Sequence, residues 1–574
     1  MQAVSVQPTL GDMIGVRVSR AWRWWLLGLF VFALAIRWPG LLWGGTHPDE
    51  DIGDPARVLT GQLIPNFHYY PPLLNYLTAA GYAVLFVVGR VMQRWHNAAE
   101  FREAYFNDPA PFLLVLRLVV STAGAAAAPL AAMIAARLGS PRRTCLLVGV
   151  ALALLPASVW WSHIGKQDLG MATSVLFAVW CMLRYTQQLR RGDALWFGTA
   201  VALALSFKQS ALFIIVPLMG VMVLLARDAG QSWTRLGRDA LAALGVCIIV
   251  WIPLNIGLWL DFANFLNYQK VLAAMHVRGS GIERTSQAVS SILTDRFTGP
   301  TLPLLLGFLI APLVVRRRDA LLLWTGIAVS LVITAGLSGE AAQLQLYLPE
   351  SLLIATLGMM TWVTLTLRGD WLAWPGAAGL TVAMYVLASG AFEVDRQALA
   401  RPIRERVANA LLSIDDIAHR RILASEPSMT GLPVSGSAER DEWERAQRLA
   451  QKYGVTLPAH YRAFDPDAGH YYIRSMPWVM GGLEAYEEKD VKVVKPFAWP
   501  VQPEEWQLNH WLNTGYTVFV VMHENAWLSS KVPAYRGLHR EIHERCALVT
   551  TIQSDRPLFL EHDTKIYLSK TPSG

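Results

Sequence analysis

The stretch Thr46-His47-Pro48-Asp49-Glu50-Asp51 follows the first apolar segment of the chain, which runs from about Trp24 to Trp43. It places three carboxylates beside a His and a Pro at the point where a membrane span would end. Charged groups are costly at the edge of a hydrocarbon layer, and those that occur there are often functional. We therefore take this stretch as the candidate reaction centre, to which the rest of the chain must bring its partners.

The composition predicts a polytopic membrane protein. Of 574 residues, 53% are hydrophobic and only 16% are charged, and the mean hydropathy is +0.32, whereas soluble domains are about 25% charged. The net charge of +7 does not imply nucleic acid, because arginines beside membrane spans face the cytoplasm and its anionic lipids. Four scattered cysteines predict neither a disulfide framework nor a CxxC metal site. The first apolar segment has the length of a span and lacks a small-residue cleavage site, so we do not expect a signal peptide.

Positive charges decide the predicted topology. Arg17, Arg20 and Arg23 precede the first span and place the N-terminus in the cytoplasm. We expect the apolar run from Leu73 to Val91 to be an interfacial or re-entrant helix, because only then do all later arginine clusters face the cytoplasm. These clusters are Arg137, Arg142 and Arg143; Arg184, Arg190 and Arg191; Arg227, Arg235 and Arg238; Arg316, Arg317 and Arg318; and Arg368.

The sequence then predicts eleven crossings. The run 194–226 is divided at Phe207-Lys208-Gln209-Ser210, because one helix of that length would measure roughly 50 Å against a hydrocarbon core of about 30 Å. The predicted spans lie near residues 24–43, 112–136, 144–161, 169–184, 194–207, 209–226, 240–260, 301–315, 320–337, 346–367 and 371–391.

This topology collects the polar loop residues on the outer face. The membrane half contains only three lysines, Lys166, Lys208 and Lys270, and all three map to that face. They would lie opposite the first-loop carboxylates. A carboxylate can accept the proton of an attacking hydroxyl or amine while cations stabilise a departing phosphate, and sugar transfer from a lipid phosphate needs both. A GxxxxGK[ST] or GxGxxG loop in a strand-to-helix setting is absent from the sequence, so we expect no nucleotide cradle.

Several segments in order carry a family resemblance. They are Arg37-Trp38-Pro39-Gly40-Leu41, His47-Pro48-Asp49-Glu50, Gly61-Gln62-Leu63, the run from Tyr70-Pro71-Pro72 to Leu77, Ser162-His163 through Asp168, Lys208, and Tyr347-Leu348-Pro349. Over about residues 1–370 the chain resembles the GT-C superfamily of integral-membrane glycosyltransferases, of the protein-O-mannosyltransferase and aminoarabinose-transferase type (family 39-like). These enzymes depend on a polyprenyl-phosphate sugar, dolichyl- or undecaprenyl-linked.

The resemblance implies roles for individual residues. Asp49 is implied as the general base, and Glu50 beside it as the residue that positions the acceptor or the sugar. Lys166, Lys208 and Arg278 are implied as ligands of the donor phosphate. Supporting positions are Arg37, His47, Tyr70, Asp168, His276 and Tyr347.

Two departures from the family pattern concern the donor. Aminoarabinose transferases usually have a Lys before the Pro of the second motif, where this chain has Tyr69 and Tyr70, which argues against an aminoarabinose donor. Many relatives have an Arg before the Tyr-Leu-x-Pro segment, where this chain has Gln345-Leu346.

Simpler interpretations of the same residues stay open. Asp49 and Glu50 could be solvated charges that end a span, and His47 a structural hydrogen-bonding group. Asp51 and Asp54 could join Asp49 in a divalent metal site, since hard cations prefer oxygen ligands, and the metal is therefore unknown.

The same holds for the basic and aromatic candidates. Lys166 and Lys208 could extend to lipid headgroups, and Arg278 with His276 could anchor a long outer loop to lipid. We expect Arg37 to pair with a first-loop carboxylate and to hold that loop. The aromatic run 67–70 is most simply an interfacial belt.

From about Glu393 the composition becomes that of a soluble domain. Residues 396–421 and 438–453 read as amphipathic helices, and 470–474, 517–522, 547–552 and 565–568 as strands. We therefore predict a transmembrane catalytic domain over residues 1–392 and a C-terminal α/β domain over 393–574. Eleven crossings would place that second domain in the periplasm of a bacterial cell, with the spans in its inner membrane. We assign it to acceptor selection or scaffolding.

Two classes of function remain. The first is a glycosyltransferase that moves a sugar from a polyprenyl phosphate to an acceptor outside the cytoplasm, with inversion at the anomeric carbon. The second is a flippase or transporter of lipid-linked sugars, which would be expected to have midplane charges and repeated, broken helices; we find neither in the sequence. A GT-C ligase of whole lipid-linked glycans is a nearer alternative. The acceptor can be a protein, a lipid or a glycan, and selectivity for the sugar rests on hydrogen bonds placed in three dimensions.

Overall fold

A computed structural model of the chain divides into two compact units, Met1–Ala398 and Leu399–Gly574. The predicted boundary was 392/393. The structure describes residues 20–42, 50–65, 68, 70–277, 295, 297, 299–337, 344–368, 370–453, 469–477, 503–529, 533–559 and 561–570.

The first unit is helical wherever it has regular structure in the described residues. Its α-helices are α1 (Arg20–Arg37), α2 (Gly53–Leu59), α3 (Leu73–Val91), α4 (Ala98–Asn107), α5 (Ala110–Arg137), α6 (Arg142–Ala153), α7 (Pro156–Ser162), α8 (Asp168–Gln188), α9 (Arg191–Phe207), α10 (Leu212–Asp228), α11 (Trp233–Leu254), α12 (Ile256–Leu260), α13 (Phe262–Val277), α14 (Leu302–Val314), α15 (Arg318–Leu337), α16 (Leu348–Thr366) and α17 (Ala373–Leu399).

Each predicted span coincides with a helix or with the bent pair α6 and α7, and this confirms a polytopic helical membrane protein. Among the described residues, eight helices are long and apolar enough to cross a membrane, and nine if the bent pair is one span. The count of eleven is therefore not confirmed. Helix α3 is one of the eight, so its helix length alone would permit a crossing, and its interfacial placement stays a prediction.

The predicted break inside 194–226 is confirmed. Helix α9 ends at Phe207, Lys208 has extended backbone angles, and α10 begins at Leu212 after a 3₁₀ turn. Two antiparallel helices joined by the short 189–190 connection, α8 and α9, therefore bring residue 208 back beside residue 168. This hairpin is what positions the site.

The core of the first unit lies around α8 and α16, whose residues are nearly all buried. Small residues allow the neighbouring helices to approach closely, as is usual between helices in a membrane. At Gly358 of α16, an added Cβ would lie only 2.0 Å from the carbonyl oxygen of Leu304 in α14. Glycine at this position therefore sets the distance between these two helices.

The second unit is a small α/β domain. Its five-stranded sheet has the order β2-β1-β3-β5-β4. Strands β2, β1 and β3 are parallel to one another, and β5 runs antiparallel to both of its neighbours, β3 and β4. Its elements are α18 (Ile403–Leu412), β1 (Arg421–Ala424), α19 (Gly436–Tyr453), β2 (Ile473–Ser475), α20 (Leu508–Asn513), β3 (Tyr516–Met522), α21 (Glu524–Leu528), α22 (Pro533–Arg545), β4 (Cys546–Ile552) and β5 (Thr564–Ser569).

The single helix predicted over 396–421 is wrong. Pro402 lacks the N–H that would continue α17, so α17 ends at Leu399 and α18 begins at Ile403. The predicted helix extended to Arg421, where β1 begins instead. Residues Ile422 to Ala424 are fully buried in the sheet, and pairing with its neighbouring strands fixes their extended conformation.

Candidate active site

The predicted base lies outside the described residues. The structure describes neither His47 nor Asp49, since residues 43–49 are not among those placed, and the same holds for Arg278. His276 falls on α13, and its side chain is likewise outside the described set. The described groups of the site flank residues 43–49 on both sides.

Glu50 forms a buried ion pair. Its carboxylate is fully buried and accepts two hydrogen bonds from Arg117, from Nε at 2.8 Å and from Nη2 at 2.7 Å. The backbone N–H of Gly165 donates to the same carboxylate at 2.6 Å, and Nη1 of Arg117 donates to the carbonyl of Leu41 at 2.8 Å. Two parallel N–H···O bonds fix the orientation of both groups. Glu50 thus ties the first loop to α5 and to the 163–168 turn.

Lys166 and Lys208 converge on one carboxylate and one ring. Lys208 Nζ lies 2.6 Å from Asp168 Oδ1, and Lys166 Nζ lies 3.9 Å from Asp168 Oδ2. The same ammonium groups lie 5.2 Å and 5.9 Å from the centre of the Tyr70 ring, within range of a cation–π interaction. All three charged side chains are buried, and they carry one positive charge in excess.

The local sequence explains this convergence. Asp168 is the first residue of α8, where the helix dipole favours a carboxylate. Lys208 is the C-cap of α9, and the antiparallel hairpin places it opposite Asp168. Tyr70 precedes the Pro71-Pro72 pair that leads into α3. The structure thus brings together Tyr70, Lys166, Asp168 and Lys208, which the sequence had placed on one face without contacts.

Arg37 has serine and carbonyl partners among the described residues, while Asp49, one of the first-loop carboxylates expected to pair with it, lies outside them. It is fully buried, and in the described part of the chain it donates to Ser162 Oγ at 2.9 Å, Ser158 Oγ at 2.7 Å and the carbonyls of Ala33 and Ala153. None of these is a first-loop carboxylate. Because α7 presents two serines one turn apart, Arg37 ties the end of α1 to α7.

His163 contacts the segment that follows α1. Its Nε2 lies 2.7 Å from the carbonyl of Pro39, and its Nδ1 lies 2.8 Å from the carbonyl of Val159. Asp395 Oδ1 lies 3.9 Å from Nε2. Through His163 and Arg37, α7 fixes the chain just before the first-loop gap.

A second His lies beside the site. His68 is buried, and its Nε2 lies 2.7 Å from Asp261 Oδ2. Its ring also meets Tyr268 edge-on, with 5.7 Å between ring centres. His68 lies two positions before Tyr70, so its pair with Asp261 joins the aromatic run to the 255–277 segment. The Tyr76 hydroxyl adds to this contact by accepting from the Gly257 N–H at 3.0 Å.

The other first-loop carboxylates have structural partners. Asp51 Oδ1 accepts from the N–H groups of Gly53 and Asp54 at the start of α2. Asp54 lies 3.3 Å from Arg57. Burial raises the pKa of Tyr105 to about 12, and the nearby charges of Asp51 and Asp54 add to the shift. Among the described residues, no three His, Cys, Asp or Glu side chains are grouped as a metal site would need.

Tyr347 is buried at the start of α16, where it packs with Leu346, Ala335 and Leu331. This places it in the helix core, as a support for α16 and α15.

Sequence reasoning missed Arg117. It stands alone among apolar residues in the predicted span 112–136, and a lone charge inside a span is itself a signal of a partner. It also missed the His68–Asp261 pair, for which no local signal exists because 193 positions separate the two residues.

Comparisons with known proteins support the same class of protein. Residues 64–274 match the family model of dolichyl-phosphate-mannose-protein mannosyltransferases. No curated protein sequence matches the chain.

Several solved structures, among them the following three, are similar to this chain at low identity. ArnT from Cupriavidus metallidurans, bound to undecaprenyl phosphate, has a TM-score of 0.49 and 14% identity over 95% of this chain and 98% of that chain. The Archaeoglobus fulgidus oligosaccharyltransferase has 0.42 and 10% over 91% and 71%. The S. cerevisiae Pmt1-Pmt2 complex with its sugar donor has 0.33 and 17% over 44% and 36%. At these TM-scores the likeness carries no statement about function.

The described fold is that of a multi-pass membrane protein with a C-terminal sheet domain. The family-model match over residues 64–274 agrees with the predicted resemblance to the protein-O-mannosyltransferase type. The match covers less than half of the chain, so the enzymatic class, the donor, the sugar and the acceptor are matters of proposal.

Proposed function

We propose that this protein transfers a sugar from a polyprenyl-phosphate donor, undecaprenyl phosphate in a bacterial cell, to an acceptor outside the cytoplasm. One observation carries the proposal: two buried lysines, Lys166 and Lys208, share a single carboxylate and the face of Tyr70. Two buried ammonium groups on one side of the site suit the negative charge of a donor phosphate, because a buried charge is stabilised by a partner of opposite sign. The matched family is named for a lipid-phosphate mannose donor.

The proposed step is a single displacement. Asp49 accepts the proton of the acceptor hydroxyl or amine while that oxygen or nitrogen forms a bond to the anomeric carbon. The bond between the anomeric carbon and the phosphate oxygen breaks, and the lipid phosphate leaves with the electron pair. Lys166, Lys208 and Arg278 together stabilise the negative charge on that phosphate. The configuration at the anomeric carbon inverts because no enzyme nucleophile takes part.

Glu50 takes a positioning role in this proposal. Both of its oxygens accept hydrogen bonds from Arg117, and one also accepts from Gly165. These hydrogen bonds therefore hold residue 50, at the end of the first loop, against the turn that carries Lys166. Arg37 and His163 hold the other end of the same loop through α7.

The proposed location follows the positive-inside rule. The N-terminus lies in the cytoplasm, the site at the outer face of the inner membrane, and the C-terminal domain in the periplasm. A divalent metal is not required by the proposed step.

Transfer of radiolabelled sugar in membranes tests the proposal. A panel of polyprenyl-phosphate sugars is offered to wild type, to Asp49→Asn and to a matched control, Asp108→Asn. Asp108 is exposed and pairs with Arg94 only at 3.7 Å, and exposed pairs contribute about 0–1 kcal/mol. Label should reach a product with wild type and the control and not with Asp49→Asn. Equal transfer by Asp49→Asn would remove Asp49 as the base, and a lack of transfer by wild type across the panel would refute the donor class.

A further inference from the structure

The second unit contains a cleft of about 210 Å³. It lies at the amino ends of the parallel strands, where Arg421 begins β1, Tyr516 begins β3 and Tyr472 directly precedes β2. Helix α20 adds Trp511 to the lining. Pockets for drug-sized ligands hold about 300–1,000 Å³, so this cleft suits one ring-sized group.

Aromatic rings form one side of the cleft. Trp511 and Tyr516 meet edge-to-face with 5.1 Å between ring centres, and Tyr472 and Tyr516 do so at 6.2 Å. The guanidinium of Arg421 lies 4.6 Å from the centre of the Tyr472 ring. A sugar ring has apolar C–H faces and hydroxyl edges, so it packs on aromatic faces while its edges seek hydrogen-bonding groups.

The charged side chains of the cleft differ in whether they pair with a carboxylate. Arg474 pairs with Glu442 at 2.8 Å, and the Tyr472 hydroxyl donates to the carboxylate of Asp441. Arg421 donates to the carbonyl of Thr514 at 2.9 Å, and among the residues that the structure describes no carboxylate oxygen lies within 4.0 Å of it. Its positive charge is therefore available to an anion.

A buried tyrosine adds a second observation. Tyr516 is 1% exposed, its hydroxyl hydrogen-bonds with Arg474 and Tyr472, and its side chain lines the cleft. These contacts hold the aromatic side of the cleft in place before a ligand enters.

We propose that this cleft binds a saccharide that carries an anionic group, a carboxylate or a phosphate. The anionic group pairs with Arg421, and the sugar ring packs against the aromatic side. The site is separate from the transfer chemistry of the first unit, and its occupancy is measured without turnover. A failure of sugar transfer would therefore not refute this proposal, and a failure of saccharide binding would not refute the proposed transfer.

Ligand binding to the full-length protein in nanodiscs tests the proposal. Titrations followed by saturation-transfer NMR use glucuronate, glucose 6-phosphate, glucose and inorganic phosphate. At least one anionic sugar should bind tenfold or more tightly than glucose, and the pair of anionic sugars distinguishes a carboxylate from a phosphate source. Arg421→Gln should weaken that binding about tenfold or more, in line with a charged hydrogen bond.

Two further variants make the test specific. Arg540 is exposed on α22 and does not line the cleft, so Arg540→Gln should bind like wild type. Tyr472→Leu removes the aromatic ring beside Arg421 and should weaken binding about threefold to tenfold; it decides the matter if Arg421→Gln does not fold. Equal binding of glucose, an unchanged affinity in Arg421→Gln and Tyr472→Leu, or no binding of either anionic sugar would overturn the proposal. Inorganic phosphate that binds as tightly as the sugars would do so too.

Discussion

Removing Arg117 should destabilise the site more than any surface change on the same loop. Arg117→Met would remove both guanidinium hydrogen bonds from the Glu50 carboxylate, which is fully buried. Breaking a buried ion pair in this way costs about 3–5 kcal/mol, because an uncompensated charge stays buried. Since 1.4 kcal/mol is a factor of ten, local opening should become about a hundredfold to a few thousandfold more frequent.

Hydrogen exchange of the 163–168 turn measures this opening, because the Gly165 amide donates to Glu50. The full-length protein in nanodiscs is compared as wild type, Arg117→Met, Glu50→Gln and the double variant. The double variant should recover at least half of the lost protection, since it removes the buried charge on both sides.

The control is Arg102→Met, an exposed arginine of α4, which should exchange like wild type. Unchanged protection in Arg117→Met would refute the reasoning. Strict additivity of the two single changes would refute it as well, because groups that form an ion pair must couple.

Two further predictions concern the two units separately. Lys208→Met should lower kcat/KM for the lipid donor roughly 10- to 150-fold in the sugar-transfer assay, which corresponds to the loss of a charged hydrogen bond. The control Lys270→Met should leave kcat/KM unchanged. Equal effects of the two changes would contradict a specific role for Lys208. Burial lowers the pKa of His539 to about 4, below the usual value near 6.5. The folded domain therefore keeps its full stability above pH 6.5 and loses it as the pH falls toward 4, by about 3 kcal/mol in total. Hydrogen exchange of α22 at pH 7 and pH 5 should reveal this loss in wild type, and a His539→Gln variant with the same pH dependence would contradict it.

Much of the fold follows from local patterns. The spans were predictable because hydrocarbon requires long apolar helices, and the break at Lys208 because one helix would have been too long. Strands β3, β4 and β5 were predictable from their β-branched and aromatic residues. Strand β1 was not, since only four residues form it and the pairing with β2 and β3 decides its conformation.

The residues of the site could be predicted from the sequence, whereas the contacts between them could not. Lys166, Asp168 and Lys208 could be placed on one face from charge and topology. That Lys208 reaches Asp168 depends on the α8–α9 hairpin, which side-chain packing closes.

The sequence alone determined that this chain is a polytopic membrane protein, and it predicted a GT-C resemblance, an acidic first loop and lysines on the outer face, because hydropathy, charge bias and short motifs are local properties. Tertiary structure alone decided that Arg117 pairs with Glu50 and that Arg37 binds the serines of α7. It also decided that His68 meets Asp261. A buried charge takes whichever partner the packed helices bring within hydrogen-bond distance, and that distance is a property of the whole bundle.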